Sequence, residues 1–97
     1  MAAWLVVTAH LKNREAFMSC GYAQAAAEAL VNYGGTYVVR APGGTVLEGE
    51  GKDGGSVVVS EWPDRASALA FWNSPEYSSA KKMREGLADI SVTLVGA

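Results

Sequence analysis

Arg40 and Glu61 are charged residues in stretches that otherwise read as central β-strands, Thr36 to Arg40 and Val57 to Trp62. Charges are rare in such places unless they are paired or working. An arginine there can hold a small anionic or carbonyl ligand, and a glutamate can orient that ligand or act as a base. The alternative is an Arg–Glu pair inside the fold or across a dimer, or two strand-end charges in water. His10 ends an earlier strand, Trp4 to Leu11. In the expected sheet order the first and third strands are parallel neighbours, so His10 sits near Ser60, Glu61 or Trp62. A His–Glu pair at a cavity is a usable acid/base unit. The alternative is an exposed or interface histidine. The expectation is that at least two of Arg40, Glu61 and His10 line one cavity, with Glu61 and His10 as the catalytic candidates.

Large rings are numerous for so short a chain: Tyr37, Trp62, Phe71, Trp72 and Tyr77. They suit an aromatic-walled pocket for a flat organic ligand, or they fill the space between helices and sheet. Core packing is the reading for Phe71 and one tryptophan. Trp72, Asn73, Ser74 and Tyr77 flank a break between two helices, where amide and hydroxyl groups can face a cavity mouth. The ligand-binding candidates are therefore Arg40, Tyr37, Trp62, Trp72, Asn73, Ser74 and Tyr77.

Other chemistries find little support. Cys20 lies on an apolar helical stripe with nothing basic at helical spacing to activate its thiol, so a buried structural cysteine is expected. The glycines between residues 41 and 56 precede no Gly-Lys-Ser/Thr and open no helix, so they form no phosphate loop. They suit a mobile flap or an edge extension toward a partner subunit. One histidine, one cysteine and scattered acids make no metal site, and no cofactor is expected.

The elements that must position these groups are legible from period and punctuation. Leu5, Val7, Ala9 and Leu11 give the first strand a purely apolar face; Trp4, Val6, Thr8 and His10 give it a mixed one. Asn13 caps a helix whose apolar spacing runs to about Tyr33, where Gly34-Gly35 ends it. The second strand is Thr36 to Arg40, and Thr45 to Glu48 is a candidate short strand within the glycine-rich segment. Pro63 closes the third strand and Asp64 caps a helix of about Arg65–Asn73. Ser74-Pro75-Glu76 starts another that ends near Gly86, and Ile90 to Val95 is the last strand.

That order is a ferredoxin-like split βαβ plan, an α+β fold with sheet order 4-1-3-2 once each crossover is right-handed. Helices cover one sheet face. The other keeps Trp4, Val6, Val57 and Val59, too apolar for water, so a homodimer through this face is expected.

The chain of 97 residues is expected to be one domain, residues 1–97. Its net charge is −2 and no basic run reaches five, which argues against nucleic acid as a partner. No secretion signal and no membrane-length apolar window is readable, so no membrane role is expected. A lone cysteine suits a reducing cytoplasm.

Gly34-Gly35-Thr36-Tyr37-Val38-Val39-Arg40 with Val46-Leu47-Glu48-Gly49, then Val58-Val59-Ser60-Glu61-Trp62-Pro63, then Trp72-Asn73-Ser74-Pro75-Glu76-Tyr77, resemble in order and spacing the signature of domain-of-unknown-function family 1330. The resemblance spans nearly the whole chain. It implies a dimeric α+β barrel of ferredoxin-like subunits. The family usually carries an acid near the end of its first strand. Here His10-Leu11-Lys12-Asn13-Arg14-Glu15 stands in that region, so no role for the acid carries over. Three functions follow as expectations. One is a cofactor-independent enzyme of oxygenase, isomerase or cyclase type on a small polar or aromatic metabolite. The others are a non-enzymatic ligand-binding or stress-associated module, and a purely structural dimer.

Overall fold

The computed structural model describes residues 2–97. The chain runs β1 (Ala3–Leu11), α1 (Arg14–Ser19), α2 (Tyr22–Asn32), β2 (Thr36–Ala41), β3 (Ser56–Trp62), α3 (Arg65–Trp72), α4 (Pro75–Met83) and β4 (Ala88–Gly96). The strands form one sheet of order β2-β3-β1-β4, the ferredoxin-like α+β arrangement. All three pairings are antiparallel.

The antiparallel β1–β3 pairing corrects the expectation of parallel neighbours. A strand–helix–strand crossover returns β2 parallel to β1, and the β2–β3 connection then reverses the chain. β3, lying between them, must run against β1. Trp4 therefore stands opposite Glu61, while His10 pairs with Asp89 of β4 at the far end of the sheet. Six residues of strand separate Trp4 from His10, roughly 20 Å.

Two further expectations change. The expected single helix from Asn13 to Tyr33 is two helices. Asn13 caps the first, its Oδ1 accepting from the Ala16 amide at 3.0 Å. Ser19 Oγ then bonds back to the Glu15 carbonyl at 3.0 Å, and Gly21 adopts a left-handed φ of 90° before α2 begins. The hydroxyl competes for a helix carbonyl and the glycine turns the chain, so the apolar spacing continues while the backbone does not. Residues 45–48 form no strand. That loop is held by the Asp53 carboxylate, which accepts from the Val46 amide at 2.8 Å, and by Gly44–Gly55 backbone bonds.

The other punctuation acts as expected. Asp64 Oδ1 accepts from the Ser67 amide at 2.7 Å, and Ser74 Oγ accepts from the Tyr77 amide at 3.1 Å. Pro75 occupies the first turn of α4. The helices lie on one face of the sheet, where Leu30, Phe71 and Tyr77 pack with Leu5 and Trp62 of the strands. Trp62 is 1% exposed, and its Nε1 donates to Ser60 Oγ at 2.9 Å. Its ring lies 4.9 Å from that of Phe71, centroid to centroid. Among the described residues no helix is long and apolar enough to cross a membrane.

Gly35 admits that tryptophan. A Cβ on residue 35 would stand 2.6 Å from the Trp62 ring and 2.9 Å from Leu30 Cγ. Gly35→Ala should lower unfolding free energy by about 1–3 kcal/mol through overpacking. Ser74→Ala, which removes a cap, should cost about 1 kcal/mol. Urea titrations of the two variants against the parent would measure both; a neutral Gly35→Ala would mean that this contact is not tight in solution.

Candidate functional site

The helix-covered sheet face is not filled along its whole length. Trp62 and Phe71 fill one end. Toward the other end lies a cavity of about 320 Å³, floored by Leu5, Val7, Ala9, Val58 and Val92 and roofed by Ala23, Ala26 and the rings of Phe17 and Tyr22. The floor residues are the even-spaced apolar set of β1 with its partners across β3 and β4. They share a face because strand side chains alternate.

β2 contributes two polar groups through an irregularity. Tyr37 pairs with Ser60 and Val39 pairs with Val59, so Val38 is an extra residue, a β-bulge. Without it Tyr37 and Arg40, three positions apart, would project to opposite faces. With it both line the cavity. The Arg40 guanidinium lies 4.5 Å from the centroid of the Tyr37 ring. Arg14, at the start of α1, lines the same cavity. Both arginines are exposed, so they mark its mouth.

Phenols supply the remaining polar wall. The Tyr22 and Tyr77 hydroxyls are 2.8 Å apart, joining α2 to α4. Burial, then the adjoining Tyr77, pushes the Tyr22 phenol far above its ordinary value. Burial also raises Tyr37, against the opposing pull of Arg40. At neutral pH these two phenols are donors and not bases. Among the described residues no aspartate, glutamate or histidine lines the cavity.

Of the residues singled out in the sequence, Arg40, Tyr37, Trp72 and Tyr77 come together here. Glu61 and His10 do not. Glu61 is exposed on the opposite sheet face, where its Oε1 accepts from Trp4 Nε1 at 3.2 Å. His10, also on that face, donates from Nε2 to the Lys52 carbonyl at 2.9 Å. The proposed His–Glu acid/base unit is therefore corrected: β1 and β3 run in opposite directions and carry the two side chains to opposite ends. Arg40 faces Val58 and Glu61 faces Thr36, so those two are not adjacent either. Trp62 is core. Ser74 is 3% exposed, with its hydroxyl spent on the Phe71 carbonyl at 2.7 Å and the Tyr77 amide. Asn73 is the exposed C-cap of α3.

Sequence reasoning missed Arg14, Phe17 and Tyr22. A cation with two rings at helical spacing was the available signal. Among the described residues no three of His, Cys, Asp and Glu gather closely enough to hold a metal ion.

Tyr22→Phe leaves the buried Tyr77 hydroxyl without its partner and should cost about 1 kcal/mol. The raised phenols also set an alkaline limit. The unfolded chain sheds its tyrosine protons near pH 10.0, where folded Tyr22 and Tyr37 keep theirs. Stability is therefore complete below that pH and declines as pH rises above it. Denaturant midpoints followed upward from neutral pH should fall above pH 10, and less steeply in Tyr22→Phe.

The model of the family described as domain of unknown function (DUF1330) matches residues 2–97. Among solved structures, the RPA0582 protein of unknown function from Rhodopseudomonas palustris is 18% identical. That match covers 99% of this chain and 82% of the other, with a TM-score of 0.77. A dimeric ferredoxin-like protein of unknown function from Jannaschia sp. CCS1 is 16% identical over 100% of both chains, with a TM-score of 0.71. SnoaB, a cofactor-independent oxygenase from Streptomyces nogalater, is 18% identical over 99% of this chain and 92% of its own, with a TM-score of 0.68. At these identities the likeness is one of fold. No curated protein matches in sequence.

Proposed function

The chain belongs to the DUF1330 family, and from that premise we propose that it is a small-molecule-binding protein holding one ligand between its sheet and helices. The observation carrying this reading is the cavity of about 320 Å³ walled by aromatic rings. Interiors are ordinarily close-packed, and ligand sites span about 300–1,000 Å³. The apolar floor would accept the body of the ligand, while Tyr37, Arg40 and Arg14 would orient it. Binding is favoured over acid/base catalysis because no lining residue is a carboxylate or an imidazole. Oxygenation of the kind named for SnoaB would here need a substrate that gives up its own proton. The lone Cys20 suits a reducing compartment, and the cytoplasm is the setting we propose.

A neutral aromatic probe, naphthylmethanol, should bind and quench tryptophan fluorescence, since Trp72 lines the cavity. Ala23→Trp, which fills the space from the exposed roof of α2, should abolish that binding while leaving the circular dichroism spectrum intact. Binding undiminished in this variant would place the probe elsewhere and sink the reading.

We further propose a homodimer through the open sheet face. Val39 and Val95 are each 41% exposed there, alongside half-exposed Trp4, Val6, Val57 and Val59. An apolar surface of this extent favours burial against a second copy. The native mass should be twice the 10.2 kDa chain mass. Val59→Lys, a charge at the centre of the face, should halve it. A wild-type mass of a single chain at micromolar concentration would refute the dimer.

A further inference from the structure

We infer that the ligand is an aromatic carboxylate, its ring in the cavity and its carboxylate between Arg14 and Arg40 at the mouth; this rests on the cavity being a binding site. The protein carries eight basic and ten acidic residues. None of the acids lines the cavity, whereas Arg14 and Arg40 do. Two more cations lie on the faces of its lining rings: Lys81 Nζ is 4.3 Å from the Trp72 ring centroid, and Arg84 Cζ is 5.1 Å from that of Tyr22. Half the cations of a net-negative protein thus line the cavity or lie on rings that line it.

They are also uncompensated. The ion pair among the described residues, Lys12–Asp89 at 3.5 Å, involves none of the four. Arg84 Nε is buried without a hydrogen-bond partner. Like charges gathered at the mouth and rim of an apolar concavity focus a positive potential, which an anion would relieve.

The shape of the anion follows from the walls. Guanidinium forks match the plane of a carboxylate and bond it in pairs. Phe17, Tyr22, Tyr37, Phe71, Trp72 and Tyr77 present ring faces and edges to the interior, which suits a planar body. The cavity volume lies at the small end for ligand sites, so one ring or two fused rings fit.

Calorimetry at neutral pH with naphthoate, naphthylmethanol and naphthyl phosphate tests this. Naphthoate should bind at least about tenfold more tightly than naphthylmethanol, the step expected of one charge-assisted contact. Arg40→Gln and Arg14→Gln should each erode that preference without changing the affinity for the neutral alcohol. Arg65→Gln, whose parent side chain bonds the Gly96 carbonyl on the surface, should leave all three affinities unchanged. Equal affinity for acid and alcohol would overturn the inference and leave the binding reading standing. So would a naphthoate preference that survives both arginine substitutions. Tighter binding of naphthyl phosphate would overturn the carboxylate assignment. Failure of all three probes to bind would remove the binding reading and this inference together.

Discussion

The alternation of side chains along β1 divides everything else in the molecule. β1, like β3, is hydrogen-bonded on both edges, and it runs antiparallel to β3 and to β4. Leu5, Val7 and Ala9 go to the helices, and Trp4, Val6, Thr8 and His10 go to the open face. Each partner strand inherits that parity through its register: Ser60 and Val58 face inward, Glu61 and Val59 outward. A one-residue slip would invert both faces and expose the cavity floor to water. β2 departs from strict parity, and the departure is what furnishes the site. The extra residue at Val38 lets Tyr37 and Arg40 share the inner face, so the cation gains an aromatic surface and reaches the cavity mouth.

Packing under the helices is uneven from end to end. Near the Trp62 end the rings of Trp62, Phe71 and Tyr77 lie within 4.9 Å of one another along the chain of contacts, and Gly35 contributes no side chain because none fits. Toward Arg14 and Pro42 the lining includes the small residues Ala9, Ala23, Ala26 and Ser56 beside Leu11, Phe17 and Ile90. Larger apolar side chains at those positions would fill the space and add stability. On the binding reading proposed above, a ligand held in the folded state would restore the stability that the unfilled space forgoes.

Much of this was legible before any coordinates. The caps Asn13, Asp64 and Ser74, the Gly34-Gly35 stop and the two-residue periods of the strands act through local chemistry, so they can be read one residue at a time. Strand direction cannot. It follows from counting reversals through the whole topology, and assigning β1 and β3 as parallel carried His10 to the wrong end of the sheet. The bulge is equally silent, since Val38 differs in no way from Val39 as a residue. Arg40 and Tyr37 came to the site for a reason that the sequence pattern did not contain. The break at Ser19–Gly21 was hidden by apolar spacing that continues across it, with Gly21 its one visible sign.

Removing His10 and Glu61 from the site changes the chemistry available to it. What remains are guanidinium groups, phenols kept protonated by burial, and ring faces. Each of these donates a hydrogen bond, carries positive charge or offers apolar surface; none accepts a proton at neutral pH. Such a wall is complementary to a molecule that brings its own negative charge and its own acceptors. It would also hold an enolate or phenolate more firmly than the neutral acid, which lowers the pKa of a bound acidic ligand. On the binding reading proposed above, a reaction in this cavity would begin from the ionisation of the ligand, because no lining residue is a carboxylate or an imidazole.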